Sequence, residues 1–363
     1  MHHALAARGL VAAFGASLAL LLGTADAAPD PTTLVYRAKK DDVFRYRFAL
    51  KATLDTTGSP FGDGSIVLTQ EQFVTFRVLA VDEKGTLHLR ATLDRLRGGF
   101  EMAALGSQIS FDTDDPPPDG AGAGSEEPLG KFARALKGGS FEVWLTAQGK
   151  VHKVAGATKL VEAAREKVGD TGGGGDLPFM NGLNAATLGE QFNDRGVAEL
   201  LQAALPRLPE APVEVGDSWE SPGAVGVAAI GHDLKIGLTL ALAEVSGDSA
   251  NLLAAGGVTA VRREAAPAKG APGGDFGADL MKNLKLEVTE SSVDGTVRWS
   301  LGKSLLDESA ITAKLTSVFE MKMPDMGGGG DAGGPGMKMD VKGTVRSSAK
   351  LLSLTHGTGG EGF

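Results

Sequence analysis

Five of the nine methionines crowd one stretch near the C-terminus: Met321, Met323, Met326, Met337 and Met339. Thioether sulfur is a soft ligand and suits Cu(I). Strand residues two apart point the same way. Met321 therefore goes with Met323, Met337 goes with Met339, and a hairpin would bring the two pairs together. The same positions also continue apolar rows that contain Phe319 and Val341. Methionine fills irregular cores and adaptable cavities, so the pattern favours core or cavity lining over a copper site.

Other chemistries fare worse. There is no cysteine, and no serine sits in a G-x-S-x-G elbow. Gly302-Lys303-Ser304 ends like a phosphate loop, but Val297 stands where that loop needs its first glycine. Of six histidines, His88, His152, His232 and His356 are isolated, and His2 and His3 lie in a leader-like segment. No H-E-x-x-H pairing offers a zinc site. The acidic run Asp112, Asp114, Asp115, Asp119, Glu126 and Glu127 lacks EF-hand spacing, and Pro116 to Pro118 interrupt it. It reads as a solvated loop. No catalytic, cofactor-binding or metal-ligating residue is assigned, no cofactor is expected, and the chain is expected not to be an enzyme.

The elements that would position any site begin after a leader. Residues 1–27 combine Arg8, an apolar run from Gly9 to Gly23 and a small-x-small step at Ala25-Asp26-Ala27. That is the pattern of a cleaved signal peptide, and it predicts a periplasmic or extracellular protein with no membrane span after cleavage. Without cysteine there is no residue to lipidate and no disulfide, so packing alone must hold the exported fold. The net charge is −9, and it stays there after cleavage because Arg8 and Asp26 cancel. An acidic chain argues against nucleic acid and anionic lipid headgroups as partners.

Two-residue alternation dominates the rest. Phe44, Tyr46, Phe48, Leu50, Ala52 and Leu54 share one face of a long strand. Ile66 to Val81 is a second run, Asp82 to Gly85 a turn, and Leu87 to Leu93 a third run. Phe100 to Phe111 reads as one further strand, and Leu129 to Leu136 as a short helix. Phe141 to Val154 forms a hairpin about Gln148-Gly149-Lys150.

Two more helices are expected in the middle. Thr158 is placed to cap the first, whose stripe is Leu160, Val161, Ala164 and Val168. Asn193 or Asp194 is placed to cap the second, with Val197, Leu200, Leu201, Ala204 and Leu205 on one face and Pro206 as its stop. After Trp219, an expected core anchor, alternation returns from Leu234 to Arg263 and from Leu284 to Val345. Glycine-rich tracts between these runs read as loops, and Ala28 to Thr33 as a flexible lead.

The expected organisation is a signal peptide (1–27), a first β unit (34–155), a helical connector with a glycine-rich linker (156–210) and a second β unit (211–356). Val74 to Arg97 resembles Leu238 to Arg263, and Trp144 with Gly149-Lys150 echoes Trp299 with Gly302-Lys303. These matches suggest an internal duplication. The fold class is mainly β, with two similar antiparallel, curved sheet units and a few helices between and against them.

The order VFRYRF, FEVWLTAQGKVHKVAGA, helix, LPEAPVEVGDSWE resembles a family of exported bacterial proteins of unknown function, often from planctomycetes. The resemblance brings no assigned activity and no functional residues. The pattern also resembles lipoprotein carriers, in which a curved sheet half-closes around a helical plug, an analogy of fold alone. Together these features point to a non-catalytic protein that binds an apolar small molecule or an envelope protein. The alternative is a structural or assembly component of the cell envelope.

Overall fold

The computed structural model describes residues 30–58, 63–103, 106–115, 128–168, 189, 192–227, 232–262, 284–321 and 337–357. The expected signal peptide, the tract 169–176, Met323 and Met326 lie outside them. The strands are β1 (Val43–Thr57), β2 (Gly64–Val81), β3 (Leu87–Met102), β4 (Ser107–Asp112), β5 (Ser140–Leu145), β6 (Val151–Ala155), β7 (Ser218–Glu220), β8 (Gly223–Val227), β9 (His232–Ser246), β10 (Ser249–Arg262), β11 (Leu284–Ser300), β12 (Leu305–Met321) and β13 (Met337–Thr355). The helices among the described residues are α1 (Pro128–Leu136), α2 (Ala157–Val168) and α3 (Asp194–Ala204).

All pairings are antiparallel, and the strands form one curved thirteen-stranded sheet in the order β6-β5-β3-β2-β1-β13-β12-β11-β10-β9-β7. β4 joins beside β3, and β8 beside β9. The two strand-rich runs seen in the sequence thus meet edge to edge. β1 pairs with β13 from Val43 opposite Thr355 to Thr57 opposite Asp340. Each of these strands would otherwise expose a long row of unpaired amides, and mutual pairing removes both edges.

The alternation of β1 holds: Phe44 and Tyr46 are buried, and Arg45 and Arg47 face away, against Asp94 and Glu71. Gly85 takes φ +78° in the β2–β3 turn and Gly149 takes +78° between β5 and β6, a region glycine enters without a Cβ penalty. The run Phe100 to Phe111 is not one strand. Phe100 lies near the end of β3, Phe111 lies in β4, and Gly106 turns between them at φ +59°.

The lead is also different from expectation. Thr32 and Val213 exchange backbone hydrogen bonds of 2.7 and 3.0 Å. The Tyr36 amide donates to Ala147 (2.8 Å) and the Arg37 amide to Ser304 (3.1 Å). Leu34 and Tyr36 are buried, and the Tyr36 ring meets Trp299 edge-on at 4.6 Å. The lead is therefore stitched under one end of the sheet, joining strands far apart in sequence. Burial there pushes the Tyr36 hydroxyl's pKa well above its ordinary value.

The three tryptophans occupy different settings. Trp299 is fully buried and anchors the core. Trp219 is half-buried, with its Nε1 donating to the Arg207 carbonyl at 2.8 Å. Trp144 is half-buried as well, stacked on His88 at 4.3 Å and capped by Lys153. The two Trp-Gly-Lys stretches thus stand in unlike surroundings, one buried against Tyr36 and one half-exposed.

Candidate ligand cavity

The site is built on α3 and the apolar face of the sheet. Asn193 caps the helix by accepting from the Gly196 amide at 2.8 Å. Asp194 reaches across to α2: its carboxylate accepts from the Thr158 amide (3.1 Å), and its own amide donates to the Thr158 hydroxyl (3.2 Å). Thr158 thus serves the start of the other helix, and each helix start satisfies a donor of the other. At the far end, Gln202 accepts from the Val151 amide (3.0 Å) and donates to the Gly149 carbonyl (3.3 Å). On its other flank α3 lies against β8, where a Cβ on Gly223 would stand 3.6 Å from the Ala203 Cα. The helix therefore bridges strands from both halves of the sheet.

Val197 and Leu201 are the buried residues of α3, and together with Leu200, Ala203 and Ala204 they line a space of about 190 Å³. Its sheet walls come from both halves: Phe48, Val74, Phe76 and Leu93 on one side, Ile236, Leu238, Val293, Ile311, Ala313 and Val345 on the other. Phe141 and Phe192 close it further. The alternation of β1, β2, β12 and β13 turns these apolar residues to one face.

Among the described residues, no charged side chain lines this space; its polar members are Gln70, Gln72, Ser309, Ser347 and Ser348. The cavity shares Ala49, Leu50, Gln70, Ile311, Ser347 and Ser348 with a wider trough of about 970 Å³. That trough is charged, carrying Lys51, Glu71, Arg97, Asp112, Arg134 and Arg346, and Lys51, Glu71 and Arg346 stand at register positions that alternate with the inward Leu50, Gln70 and Ser347. The cavity is smaller than the usual ligand pocket of roughly 300–1,000 Å³.

The residues weighed for chemistry do not converge here. His88 meets Glu142 at 3.0 Å, and His356 meets Asp42 at 3.2 Å. His152 is exposed and His232 buried. No group of three or more His, Cys, Asp or Glu gathers into a metal-binding set among the described residues. Asp112 lies on β4 in the grip of Arg95 and Arg97. The Arg95 hydrogen bond holds its carboxyl below the usual range, against the opposing pull of burial. Asp119, Glu126 and Glu127 lie outside the described residues. Gly302-Lys303-Ser304 is the β11–β12 turn, with Lys303 paired to Asp307 at 3.4 Å. Of the methionines, Met321 stands opposite Met337 in the register, and Met339 opposite Phe319. The cavity itself was legible only as alternating apolar faces; Gln70 and Gln72, at inward positions, were the overlooked signal.

A model of DUF6263, a family of unknown function, matches residues 84–292. The chain belongs to that family. The matched stretch supplies α3, β3, β5, β9 and β10, whereas β1, β12 and β13, the opposite wall, lie outside it. No curated protein matches the chain.

Among solved structures, the chain is similar to lipovitellin, in a structure described as showing lipid–protein interactions. The match has 10% identity and a TM-score of 0.43, and covers 90% of this chain and 26% of that one. The chain thus spans about a quarter of the length of that relative. An outer membrane channel from Pseudomonas putida F1 matches at 8% identity and TM-score 0.24, covering 91% of this chain and 100% of that one. The outer membrane protein OprG from Pseudomonas aeruginosa matches at 5% identity and TM-score 0.22, covering 89% and 99%. No helix among the described residues is long and apolar enough to cross a membrane, which says nothing of strands.

Proposed function

We propose that this chain is an exported, non-catalytic protein that binds a hydrophobic, lipid-like small molecule in the periplasm or outside the cell. The observation that carries the reading is the uncharged, largely apolar space beneath α3, walled by both halves of the sheet. Such a space excludes water from a bound hydrocarbon, and each buried methylene contributes about 0.8 kcal/mol. Export is supported by the leader-like pattern of residues 1–27.

Native mass spectrometry of the protein purified from its host tests the reading. The expected result is a bound lipid-sized mass that organic solvent removes, together with saturable uptake of a fluorescent fatty acyl probe. Protein that leaves its host empty and takes up no probe would overturn it. Fixed protein neighbours in a cell crosslinking experiment, combined with an empty cavity, would favour an envelope scaffold instead.

A further inference from the structure

The inward face of the sheet is apolar at both ends and polar in a band between them. Cross-strand pairing arranges it in rows. One row runs Gln72, Phe48, Ala349, Ser309 across β2, β1, β13 and β12. The next runs Gln70, Leu50, Ser347, Ile311. On one side of this band lie Val74, Tyr46 and Leu351; on the other lie Leu68, Ala52, Val345 and Ala313. Side chains directly opposite one another are neighbours on one face, so each row crosses the floor of the cavity with a glutamine on β2 and a serine on β12 or β13, set among apolar residues.

Among the described residues, three of these polar groups have their hydrogen-bonding capacity unused. Ser309 accepts from the Ala349 amide at 3.2 Å. Among the described residues, the side chains of Gln70, Gln72 and Ser347 take part in no hydrogen bond, although all three line the apolar space. A glutamine amide both donates and accepts, and a serine hydroxyl does too. An aliphatic side chain at these positions would hold a plain hydrocarbon better.

Charge points the same way. A carboxylate drawn into the space would find no cation on its lining among the described residues. Burying an unpaired ion is far more costly than burying a polar neutral group.

We infer that the ligand is a neutral lipid carrying an uncharged polar function, an ester or hydroxyl, within its hydrocarbon rather than at a charged end. The inference rests on the proposed binding of an apolar small molecule and specifies its class. The polar function would lie over the band formed by Gln70, Gln72 and Ser347. The hydrocarbon on either side would meet the apolar rows that flank it.

The test uses the full chain and three probes of equal carbon number: hexadecane, hexadecanoate and octyl octanoate, each displacing a bound fluorescent acyl probe at neutral pH. Octyl octanoate is expected to bind about tenfold more tightly than hexadecane, the worth of one or two net hydrogen bonds. Hexadecanoate is expected to bind more weakly than octyl octanoate by at least as much. Gln70→Leu with Gln72→Leu should abolish the preference for the ester while keeping or raising affinity for hexadecane, which also shows that the variant is folded. Should that double variant fail to fold, Ser347→Ala should reduce the ester preference by about threefold.

Equal affinity for hexadecane and the ester, or tightest binding by hexadecanoate, would overturn the inference while leaving the binding function intact. Failure of the wild-type chain to bind any apolar probe would overturn the binding function itself.

Discussion

β1 carries two environments on one face. At its start, Phe44 and Tyr46 are 4% and 2% exposed and wedge against Phe76 and Leu306. A turn of the pleat further on, Phe48 and Leu50 are half-buried and border open space. Strand period and residue type are the same at both places. What differs is the cover. The first end receives the stitched lead, Trp299 and the helices, while the second is covered by α3, Phe141 and Phe192 with a space left between. Alternation thus decides which way a side chain points, and the partner across the gap decides whether that side chain becomes core or cavity wall.

The contrast breaks most easily at Trp299. Its side chain is fully buried against Tyr36, so Trp299→Ala should cost about 3–5 kcal/mol. Phe48→Ala, on the cavity wall, removes a ring that is already partly without neighbours and should cost less than half of that. Chemical denaturation measures both. Equal losses would mean that the two ends are packed alike, and the comparison would fail.

A second prediction concerns the packed end alone. Asp42 is 3% exposed and accepts from the amides of Lys39 (2.8 Å) and Gly357 (3.1 Å), with His356 at 3.2 Å. Burial by itself would raise its pKa; the two amides and His356 outweigh that and lower it. A carboxyl whose folded pKa is depressed stabilises the fold at pH values above its unfolded pKa of about 3.9. That stability is lost as pH falls through the folded value. Asp42→Ala should therefore cost about 2 kcal/mol at neutral pH, and the gap to wild type should close as the pH drops below about 4. A gap that widens in acid would have the wrong sign.

Third in size is Gln202, which ties α3 to the β5–β6 turn. Gln202→Ala leaves the Val151 amide without its acceptor and should cost about 1 kcal/mol. Because it loosens the lid of the cavity, the same change should speed release of a bound acyl probe. Unchanged release rates would show that α3 is held by its apolar stripe alone.

How much of this could be seen beforehand follows from the same physics. The strands, the turns at Gly85 and Gly149 and the Asn193 cap depend on residues close in sequence, so periodicity and side-chain type reveal them. The β1–β13 join, the Thr32–Val213 bridge and the Thr158–Asp194 exchange depend on residues far apart. Local pattern carries no information on such partners. Trp219 drew attention as a large residue beside a turn, whereas Trp299 became the anchor because the lead folds under it. The candidate site was the least legible part, since a cavity is defined by what fails to touch. Its one local sign was a pair of glutamines where a strand's inward face calls for aliphatic residues.

The smallest stability effect makes the sharpest test of the contrast. Leu200 projects from α3 into the cavity and is half-buried, outside the core formed by Val197 and Leu201. In a close-packed interior, enlarging a side chain costs roughly 1–3 kcal/mol, because neighbours must leave their rotamers. Next to open space the added atoms find room and gain dispersion contacts. Leu200→Phe should therefore change stability by less than about 0.5 kcal/mol, yet compete with any ligand for the same volume and weaken acyl-probe uptake about tenfold. Leu205→Phe, at the C-cap of the same helix, buried in the core and off the cavity lining, should show the opposite pair of effects, destabilising the fold by about 2 kcal/mol while leaving uptake by the folded fraction nearly unchanged. If the two substitutions behaved alike, the helix would have a single kind of neighbour on both flanks, and the space beneath it would not be a binding cavity.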